Sequence, residues 1–291
     1  MRYIKPDFYD DFKCLADKCR HSCCIGWEID IDENSLDYYM SLDGELGRQL
    51  KENIELEPEA HFRLCEHERC PFLEKNGLCR LINELGEESL CDICAEHPRF
   101  YNCFEDREEA GLGLCCEEAA RLLLEGEGSL KLIAEGGSPE DDELAREKLF
   151  VILTDSDKTM RDRFSEALTV QYQKPDFSHW AEFLLSLERL DDSWADKLLL
   201  LKSNAAKLDI ATALEHERYM RLCQYFIYRH FLTADDHGLM LEFCFLATEI
   251  VAALDSISGF DIENTRLFSS EIEYSDENIG LIIKEIEKNR Q

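Results

Sequence analysis

Basic residues are scarce in this chain of 291 residues, which has 32 lysines and arginines against 63 aspartates and glutamates. The formal net charge is −31. A surface of this kind repels the phosphate backbone of nucleic acids and also an anionic bilayer. We therefore expect no nucleic acid and no membrane among its partners. The same charge attracts basic, lysine-bearing proteins, although acidity also keeps many proteins soluble without any partner.

Long apolar runs are also lacking. Residues 1–7 contain no apolar segment of a secretory signal. The longest apolar stretch, residues 243–254, is interrupted by Glu249 and is too short to cross a bilayer. We therefore expect a cytoplasmic protein. With 45% hydrophobic and 33% charged residues, the chain has enough apolar side chains to bury a core.

Cysteine is unusually abundant in this chain, and most of it lies in the first part. Twelve of the fourteen cysteines lie at or before Cys116, and only Cys223 and Cys244 follow. In a reducing compartment so many thiols do not persist as disulfides, so they indicate metal ligands or redox groups. The alternative is that they are buried thiols that behave as small hydrophobic side chains. That alternative accounts for Cys223 and Cys244, which lie in apolar helical stretches, but not for the crowding before them.

The spacing of the early cysteines favours metal binding. In chain order the spacings are Cys14-x4-Cys19-x3-Cys23-Cys24, Cys70-x8-Cys79, Cys91-x2-Cys94-x2-His97 and Cys115-Cys116. Thiolates two to four residues apart can reach one ion, and ligands from distant loops then couple metal binding to folding. The sequence therefore predicts a metal-binding amino-terminal region.

The sequence predicts metal binding more clearly than it predicts which metal is bound. Thiolates suit both zinc and iron–sulfur clusters. No zinc-ribbon pair of C-x2-C motifs is present, and the C-x3-C-x2-C signature of radical enzymes fails because its third position is Gly26. Ligand number and softness favour a four-iron cluster, with zinc as the alternative and a second site left open.

The distribution of residues predicts two domains. Residues 1–125 form a cysteine-rich metal-binding domain, residues 126–138 a linker, and residues 139–291 a helical domain. Apolar residues after 139 recur at helical spacing, which indicates five or six amphipathic helices. Strand patterns are few, and the best candidates are residues 27–31 and a hairpin with arms at 99–104 and 110–114. The predicted fold is mainly α: an irregular cysteine-rich region with little β, followed by an irregular helical bundle.

Five segments of the chain resemble the flagellin lysine-N-methylase family, part of the wider CxxCxxCC group of zinc- or iron-chelating proteins. They are FKCLADKCRHSCCIGWEIDID, CPFLEKNGLCRL, LGEESLCDICAEHPRF, LCCEEAARLLL and, at 225–232, YFIYRHFL. The resemblance therefore extends from residue 1 to about residue 250. It implies metal ligation by Cys14, Cys19, Cys23, Cys24, Cys70, Cys79, Cys94 and Cys116.

The chain also departs from the family pattern. His97 stands where the family usually has tyrosine, and Cys115-Cys116-Glu117-Glu118 replaces Ser-Cys-Pro-Glu. Four cysteines are additional to the family set: Cys65, Cys91, Cys103 and Cys115. These changes keep all eight family cysteines but leave open how many metal sites exist, because an extra thiol or His97 could enter a coordination shell.

The resemblance implies methyl transfer from S-adenosylmethionine to lysine ε-amines of flagellin or a related protein. A Rossmann-type cofactor fold is not supported, since no G-x-G-x-x-G motif occurs. Aromatic side chains could wall a lysine pocket or simply pack in a core; the candidates are Trp27, Tyr38, Tyr39, Tyr101, Tyr225 and Tyr228. The sequence assigns no catalytic residue and no oligomeric state. The alternative functions are a metal-stabilised interaction module without activity and a redox or metal sensor.

Overall fold

The computed structural model describes residues 1–290, which divide into two compact units. One unit, here called the cysteine unit, is Lys13–Phe100. The other, here called the helical unit, combines Met1–Phe12 with the chain from Tyr101 onward. The described residues contain fourteen α-helices and six short strands, so the prediction of a mainly α fold is confirmed.

The strands are β1 Arg2–Pro6, β2 Ile54–Glu55, β3 His61–Phe62, β4 Arg99–Cys103, β5 Arg107–Leu112 and β6 Leu132–Glu135. The helices up to residue 125 are α1 Glu33–Ser41, α2 Gly44–Asn53, α3 Arg80–Leu85, α4 Asp92–Glu96 and α5 Glu117–Glu125. The later helices are α6 Asp141–Leu153, α7 Met160–Leu168, α8 Phe177–Leu185, α9 Asp192–Asn204, α10 Ala211–Leu214, α11 Glu217–His230, α12 His237–Ser258, α13 Ile262–Phe268 and α14 Asp276–Asn289. A π-helical turn, Ser269–Glu273, follows α13.

The division into compact units does not follow the predicted domains. Residues 126–138, predicted as a linker, include β6, which pairs antiparallel with β1. Independent folding of residues 1–125 and 139–291 stays a prediction, because compactness alone does not measure it.

The cysteine unit is a small core covered by irregular chain. Helix α1 begins at Glu33 because the Asp32 carboxylate accepts a hydrogen bond from the Ser35 N–H at 2.9 Å, which caps the first turn. One face of α1 and α2 places Tyr39 and Leu50 in the core, where both are fully buried. The Tyr39 ring lies 5.9 Å from that of Phe62. The long stretches between short helices are thus held by one apolar cluster.

A four-stranded sheet of order β4-β5-β1-β6 lies at the start of the helical unit. Strand β1 is parallel to β5, with Ile4 opposite Glu109, and antiparallel to β6. The predicted hairpin is present, although its second arm begins at Arg107 rather than Ala110. The sequence did not predict β1 or β6, because both pair with residues far away in the chain.

Helices α11 and α12 form the centre of the helical unit, and most of their residues are buried. Helix α12 is the one helix in residues 1–290 that is long and apolar enough to cross a membrane. However, 83% of its most apolar stretch is buried inside the protein. Burial on this scale is what the central helix of a folded core requires.

A buried polar network ties the sheet to the helices. The Tyr228 hydroxyl of α11 donates to the carbonyl oxygens of Ile4 at 3.1 Å and Ala110 at 2.8 Å. Beside it the Glu109 carboxylate, fully buried, accepts two hydrogen bonds from Arg146 of α6. The Arg146 guanidinium in turn lies 4.9 Å from the centre of the Tyr228 ring. Two buried charges therefore compensate each other at the junction of sheet and helices.

A second buried pair joins α11 to the π-helical turn. His230 Nε2 lies 2.8 Å from Glu273 Oε1, and both residues are buried. Burial lowers the pKa of His230 despite the nearby carboxylate. Burial acts to raise the pKa of Glu273, but the charge of Arg229 and the hydrogen bond with His230 outweigh it, so that pKa is lowered.

We predict that Tyr228→Phe destabilises the protein by about 1 to 3 kcal/mol, because it removes the hydrogen bonding of a buried hydroxyl with the sheet carbonyls of Ile4 and Ala110. Chemical denaturation measures the change. The matched control is Tyr38→Phe, which removes a hydroxyl from a side chain that is 41% exposed; it should change the free energy of unfolding by less than about 0.5 kcal/mol. Equal effects of the two substitutions would contradict the structural role of the Tyr228 hydroxyl.

We also predict loss of stability in mild acid. Because the folded-state pKa of His230 lies below its ordinary value of 6.5, the unfolded state binds more protons as pH falls below that value. The contribution of His230 is present above pH 6.5 and is lost as pH falls through the folded-state pKa. That of Glu273 is lost only below its ordinary value of 4.5. His230→Gln should therefore flatten the dependence of the free energy of unfolding on pH between 6.5 and 4.5, measured by denaturation at several pH values. An unchanged slope would contradict this role of His230.

Candidate functional site: a buried thiol cluster

The loop that carries Cys23 and Cys24 is shaped by the Gly-Trp pair that follows it. Gly26 has φ +93°, a conformation that costs side-chain-bearing residues energy, and its N–H donates to the Glu68 carbonyl at 3.1 Å. The Trp27 indole N–H donates to the Cys23 carbonyl at 2.7 Å. Glycine and tryptophan are therefore needed here to close the loop and to present the adjacent thiols.

Backbone hydrogen bonds join this loop to the segment that carries the next two cysteines. The Cys70 N–H donates to the Cys24 carbonyl at 2.8 Å, and Ile25 forms an isolated bridge with Arg69. A further bridge joins Leu73 to Cys79, just before α3. Cys24, Cys70 and Cys79 are therefore brought together by main-chain pairing, although they lie up to 55 positions apart (79 − 24).

The Cys91–Cys94 segment is positioned by Tyr39 and Asp32. The Tyr39 hydroxyl donates to the Ser89 carbonyl at 2.7 Å and accepts from the Cys91 N–H. Asp32, besides capping α1, accepts from the Asp92 N–H at 2.9 Å. These bonds hold the corner that precedes α4, and they leave Cys91 only 1% exposed.

Five cysteines share the core of the cysteine unit. Cys70 and Cys91 are buried in it, and three partly buried cysteines pack against it: Cys24, Cys79 and Cys94. We call Cys24, Cys70, Cys79, Cys91 and Cys94 the thiol cluster.

The pKa shifts of the thiol cluster reflect burial and mutual repulsion. Burial, with a smaller contribution from negative charge on neighbouring cysteines, raises the pKa of Cys70 to about 12. A hydrogen bond with Cys23 lowers the pKa of Cys24 to about 7. Several thiolates together are thus costly in this apolar setting without a cation to compensate them. A soft metal ion supplies that compensation, since a coordinating thiol is deprotonated outright.

The donor chemistry of the thiol cluster fits zinc or an iron–sulfur cluster, both of which take thiolate ligands. The thiol side chains, however, are not arranged as a complete set of metal ligands. Within residues 1–290, no group of three or more His, Cys, Asp or Glu side chains is placed so that it could hold a metal ion. Ligation would therefore require the thiols to turn toward a common point.

The remaining predicted ligands lie elsewhere. Cys14 is exposed, and its sulfur accepts from the Ala16 N–H at 3.4 Å. The Cys19 thiol donates to the His21 carbonyl at 2.8 Å. Cys23 is exposed beside Cys24, and Cys116 belongs to the helical unit, where it immediately precedes α5. Of the eight predicted ligands, the structure brings together Cys24, Cys70, Cys79 and Cys94 in the thiol cluster; ligation by all eight stays a prediction.

Cys91 is the member of the cluster that the predicted ligand set omitted. Its spacing from Cys94, C-x2-C, was visible in the sequence and is a common metal-ligand spacing. His97, three residues after Cys94, has its ring centre 6.0 Å from that of Trp27, with the two rings tilted by 33°. Burial lowers the pKa of His97 to about 4, so its imidazole is neutral at pH 7.

The five tyrosines among the aromatic candidates divide into two groups, whereas Trp27 is half-buried. Tyr39, Tyr225 and Tyr228 are fully buried, and the hydroxyls of Tyr39 and Tyr228 bond to backbone groups. Tyr38 and Tyr101 keep 41% and 42% of their surface exposed. The buried group accordingly has a structural role, which its contacts explain.

The YFIYRHFL segment contributes a polar cluster within the helical unit. Arg229 donates to the Tyr225 hydroxyl at 3.0 Å, lies 3.5 Å from Glu273 Oε1 and stacks 4.7 Å from the centre of the Tyr274 ring. The Tyr274 hydroxyl is hydrogen bonded to the Cys115 thiol. Arg229 therefore forms an internal ion pair with Glu273.

Comparison with curated proteins finds relatives for part of the chain. It is 27% identical over 135 residues to the flagellar biosynthetic protein FliU of Salmonella muenchen, and equally so to the lysine-N-methylases of Salmonella choleraesuis and Salmonella typhimurium. Each alignment covers 44% of this chain; it covers 80% of FliU but only 34% of the lysine-N-methylases. No protein-family model and no solved structure matches the chain. The chain is thus a distant and partial relative of proteins named for flagellar biosynthesis and lysine methylation.

Proposed function

We propose that this protein is a protein-lysine N-methyltransferase that acts on flagellin or a related protein with S-adenosylmethionine as the donor. The observation that carries the proposal is the 27% identity to two lysine-N-methylases. Because the alignment spans only about a third of those relatives, the activity of the whole relatives does not transfer without a test.

The proposed reaction is a displacement at carbon. The neutral lysine amine attacks the methyl carbon of the donor sulfonium, the C–N bond forms, and the C–S bond breaks with its electron pair left on sulfur. The products are S-adenosylhomocysteine and a methylated ammonium, which loses a proton to solvent. The net charge of −31 contributes before this step, since it raises the local concentration of lysine-bearing partners.

We further propose that the thiol cluster holds a metal centre, with an iron–sulfur cluster favoured over zinc. Cys24, Cys70, Cys79 and Cys94 would supply thiolates, and Cys14, Cys19, Cys23 and Cys116 complete the ligand set that the family resemblance implies. When bound, the metal centre would neutralise buried thiolates and link the loops of the cysteine unit. Other residues of this unit position the cysteines. Tyr39 and Asp32 hold the backbone around Cys91, and Gly26 and Trp27 shape the Cys23–Cys24 loop.

We predict that the purified protein transfers labelled methyl groups from S-adenosylmethionine to flagellin. Scintillation counting and peptide mass spectrometry should find the label on lysine. Flagellin whose lysines have been chemically blocked is the control and should take up none. The apparent KM for flagellin should rise with salt, because screening weakens the attraction of an acidic enzyme for lysines.

Two results would contradict the methyltransferase proposal. One is no incorporation together with no binding of the donor by calorimetry. The other is firm flagellin binding without donor binding, which would favour the interaction module. Flagellin affinity that changes on oxidation, again without donor binding, would favour the sensor.

We predict that protein purified without oxygen contains bound iron with acid-labile sulfide, and that Cys70→Ala loses most of it. Cys70 is buried in the thiol cluster, and its sulfur is one of the soft ligands that such a metal would need. The matched control is Cys223→Ala, at a fully buried cysteine of α11, which should keep the wild-type metal content. Metal analysis and a visible spectrum decide the matter: colourless protein with zinc would overturn the preference for iron, and metal-free wild type would overturn the metal proposal.

A further inference from the structure

We propose that a cavity of the helical unit binds the methyl donor S-adenosylmethionine, with Arg161 and Lys174 holding the carboxylate of its amino acid end. The cavity has a volume of about 450 Å³, which lies within the range of roughly 300 to 1,000 Å³ that small-molecule sites occupy. The inference rests on the methyltransferase function proposed above and extends it to the place where the donor binds.

The cavity lies among α7, the start of α8 and the connection between α9 and α10. Arg161 belongs to α7, Phe177 is the first residue of α8, and Leu208 comes from the connection. Phe177 is buried and Leu208 is half-buried, so both give the cavity an apolar wall. A wall of this kind covers the apolar part of a ligand, whose charged end then needs polar partners.

Arg161 reaches the cavity with one guanidinium nitrogen unused. Its Nε and Nη2 donate to the two carboxylate oxygens of Glu249 at 2.7 and 3.1 Å. Glu249 is fully buried in α12, so this pairing fixes the guanidinium and compensates the buried charge. No residue that the structure describes accepts a hydrogen bond from Nη1, and the side chain is 25% exposed. Nη1 can therefore donate to an acceptor in the cavity.

Lys174 supplies a second positive charge at the same cavity. Its side chain is exposed, and within residues 1–290 it forms no ion pair. Lys158, in contrast, pairs with Asp155 and Glu166, as expected in a chain with 63 acidic and 32 basic residues. Two cations with unused donors at one cavity favour an anionic group of a ligand, and a carboxylate accepts from both kinds of donor.

Two aspartates complete the match to an amino acid. Asp176 and Asp209 also line the cavity. The Oδ1 of Asp176 accepts from the Ser178 N–H at 2.9 Å, and the Oδ1 of Asp209 accepts from the Ala211 N–H at 3.0 Å. Neither Oδ2 accepts a hydrogen bond from the described part of the chain, so each can accept from an ammonium. A ligand with a carboxylate and an ammonium on one carbon, as in the methyl donor, therefore finds a partner for each charge.

A second cavity of the same unit, of about 370 Å³, lacks this match. Four carboxylates line it: those of Asp7, Asp11, Glu125 and Glu127. Its two arginines are already engaged, because Arg121 pairs with Glu118 and Glu125 and Arg221 donates to three backbone carbonyls. The carboxylate of the donor would be repelled there, so the first cavity is the better site.

The test measures the binding of two ligands to the full chain by calorimetry. S-adenosylhomocysteine keeps the amino acid end, whereas methylthioadenosine lacks it. The variants are Lys174→Ala and Ala205→Phe, the second of which puts a ring into the cavity from a residue that lines it. The control is Lys148→Ala, at an exposed lysine of α6 outside the cavity lining. Thermal unfolding verifies that each variant is folded.

We expect Lys174→Ala to weaken the binding of S-adenosylhomocysteine roughly threefold to tenfold, because an ion pair with the carboxylate is lost. Its affinity for methylthioadenosine should equal that of wild type, since that ligand has no carboxylate. Ala205→Phe should weaken the binding of both ligands at least about tenfold, because the ring occupies their space. Lys148→Ala should bind both ligands as wild type does.

The inference is overturned if wild type binds S-adenosylhomocysteine and Lys174→Ala and Ala205→Phe bind it equally well. In that case the methyltransferase proposal stands and the donor binds elsewhere. Equal weakening of both ligands by Lys174→Ala would also contradict the contact with the carboxylate. If Ala205→Phe does not fold, the comparison of the two ligands in Lys174→Ala decides. If wild type binds neither the donor nor S-adenosylhomocysteine, the proposed function fails and this inference fails with it.

Discussion

The cysteine unit depends on one constraint, the placing of sulfur beside sulfur in an apolar core. A buried thiol is harmless while it is neutral, but two buried thiolates repel each other strongly at low dielectric. Cys70, Cys91 and their neighbours therefore exist either as hydrogen-bonded neutral thiols or as ligands of a cation.

The rest of the unit can be understood as the means of meeting this constraint. Short helices and loops bury little apolar area, so the positions of the thiols have to be specified by hydrogen bonds. The Tyr39 hydroxyl forms hydrogen bonds of this kind. The Asp32 carboxylate caps α1 and also accepts a hydrogen bond from the Asp92 N–H. Because Tyr39 and Asp32 lie about fifty residues before the segment they hold, the Cys91 corner cannot form until distant parts of the unit have come together.

Sequence patterns predicted the local features and missed the distant ones. The hairpin of β4 and β5 and the helix that begins near residue 140 follow from turn, cap and periodicity signals, and both are present. Strand β1 was missed because its partners, near residues 108 and 134, are unknowable from five local residues. Cys91 is absent from the predicted ligand set because that set follows the family resemblance; its place in the same core as Cys70 results from tertiary packing, which the sequence does not show.

The same reasoning narrows where a substrate lysine could bind under the proposed function. A lysine pocket needs aromatic surface that can still be covered by a partner. The Tyr228 hydroxyl donates to backbone carbonyls, and the Tyr219 hydroxyl donates to Asp255. Both side chains are buried, so a partner protein cannot cover either ring. Within the helical unit, Tyr101 and Tyr274 keep 42% and 49% of their surface exposed. Tyr274 also lies against the guanidinium of Arg229, so its ring already binds a cation of the protein itself. Recognition of a lysine at Tyr274 would therefore have to compete with that internal cation.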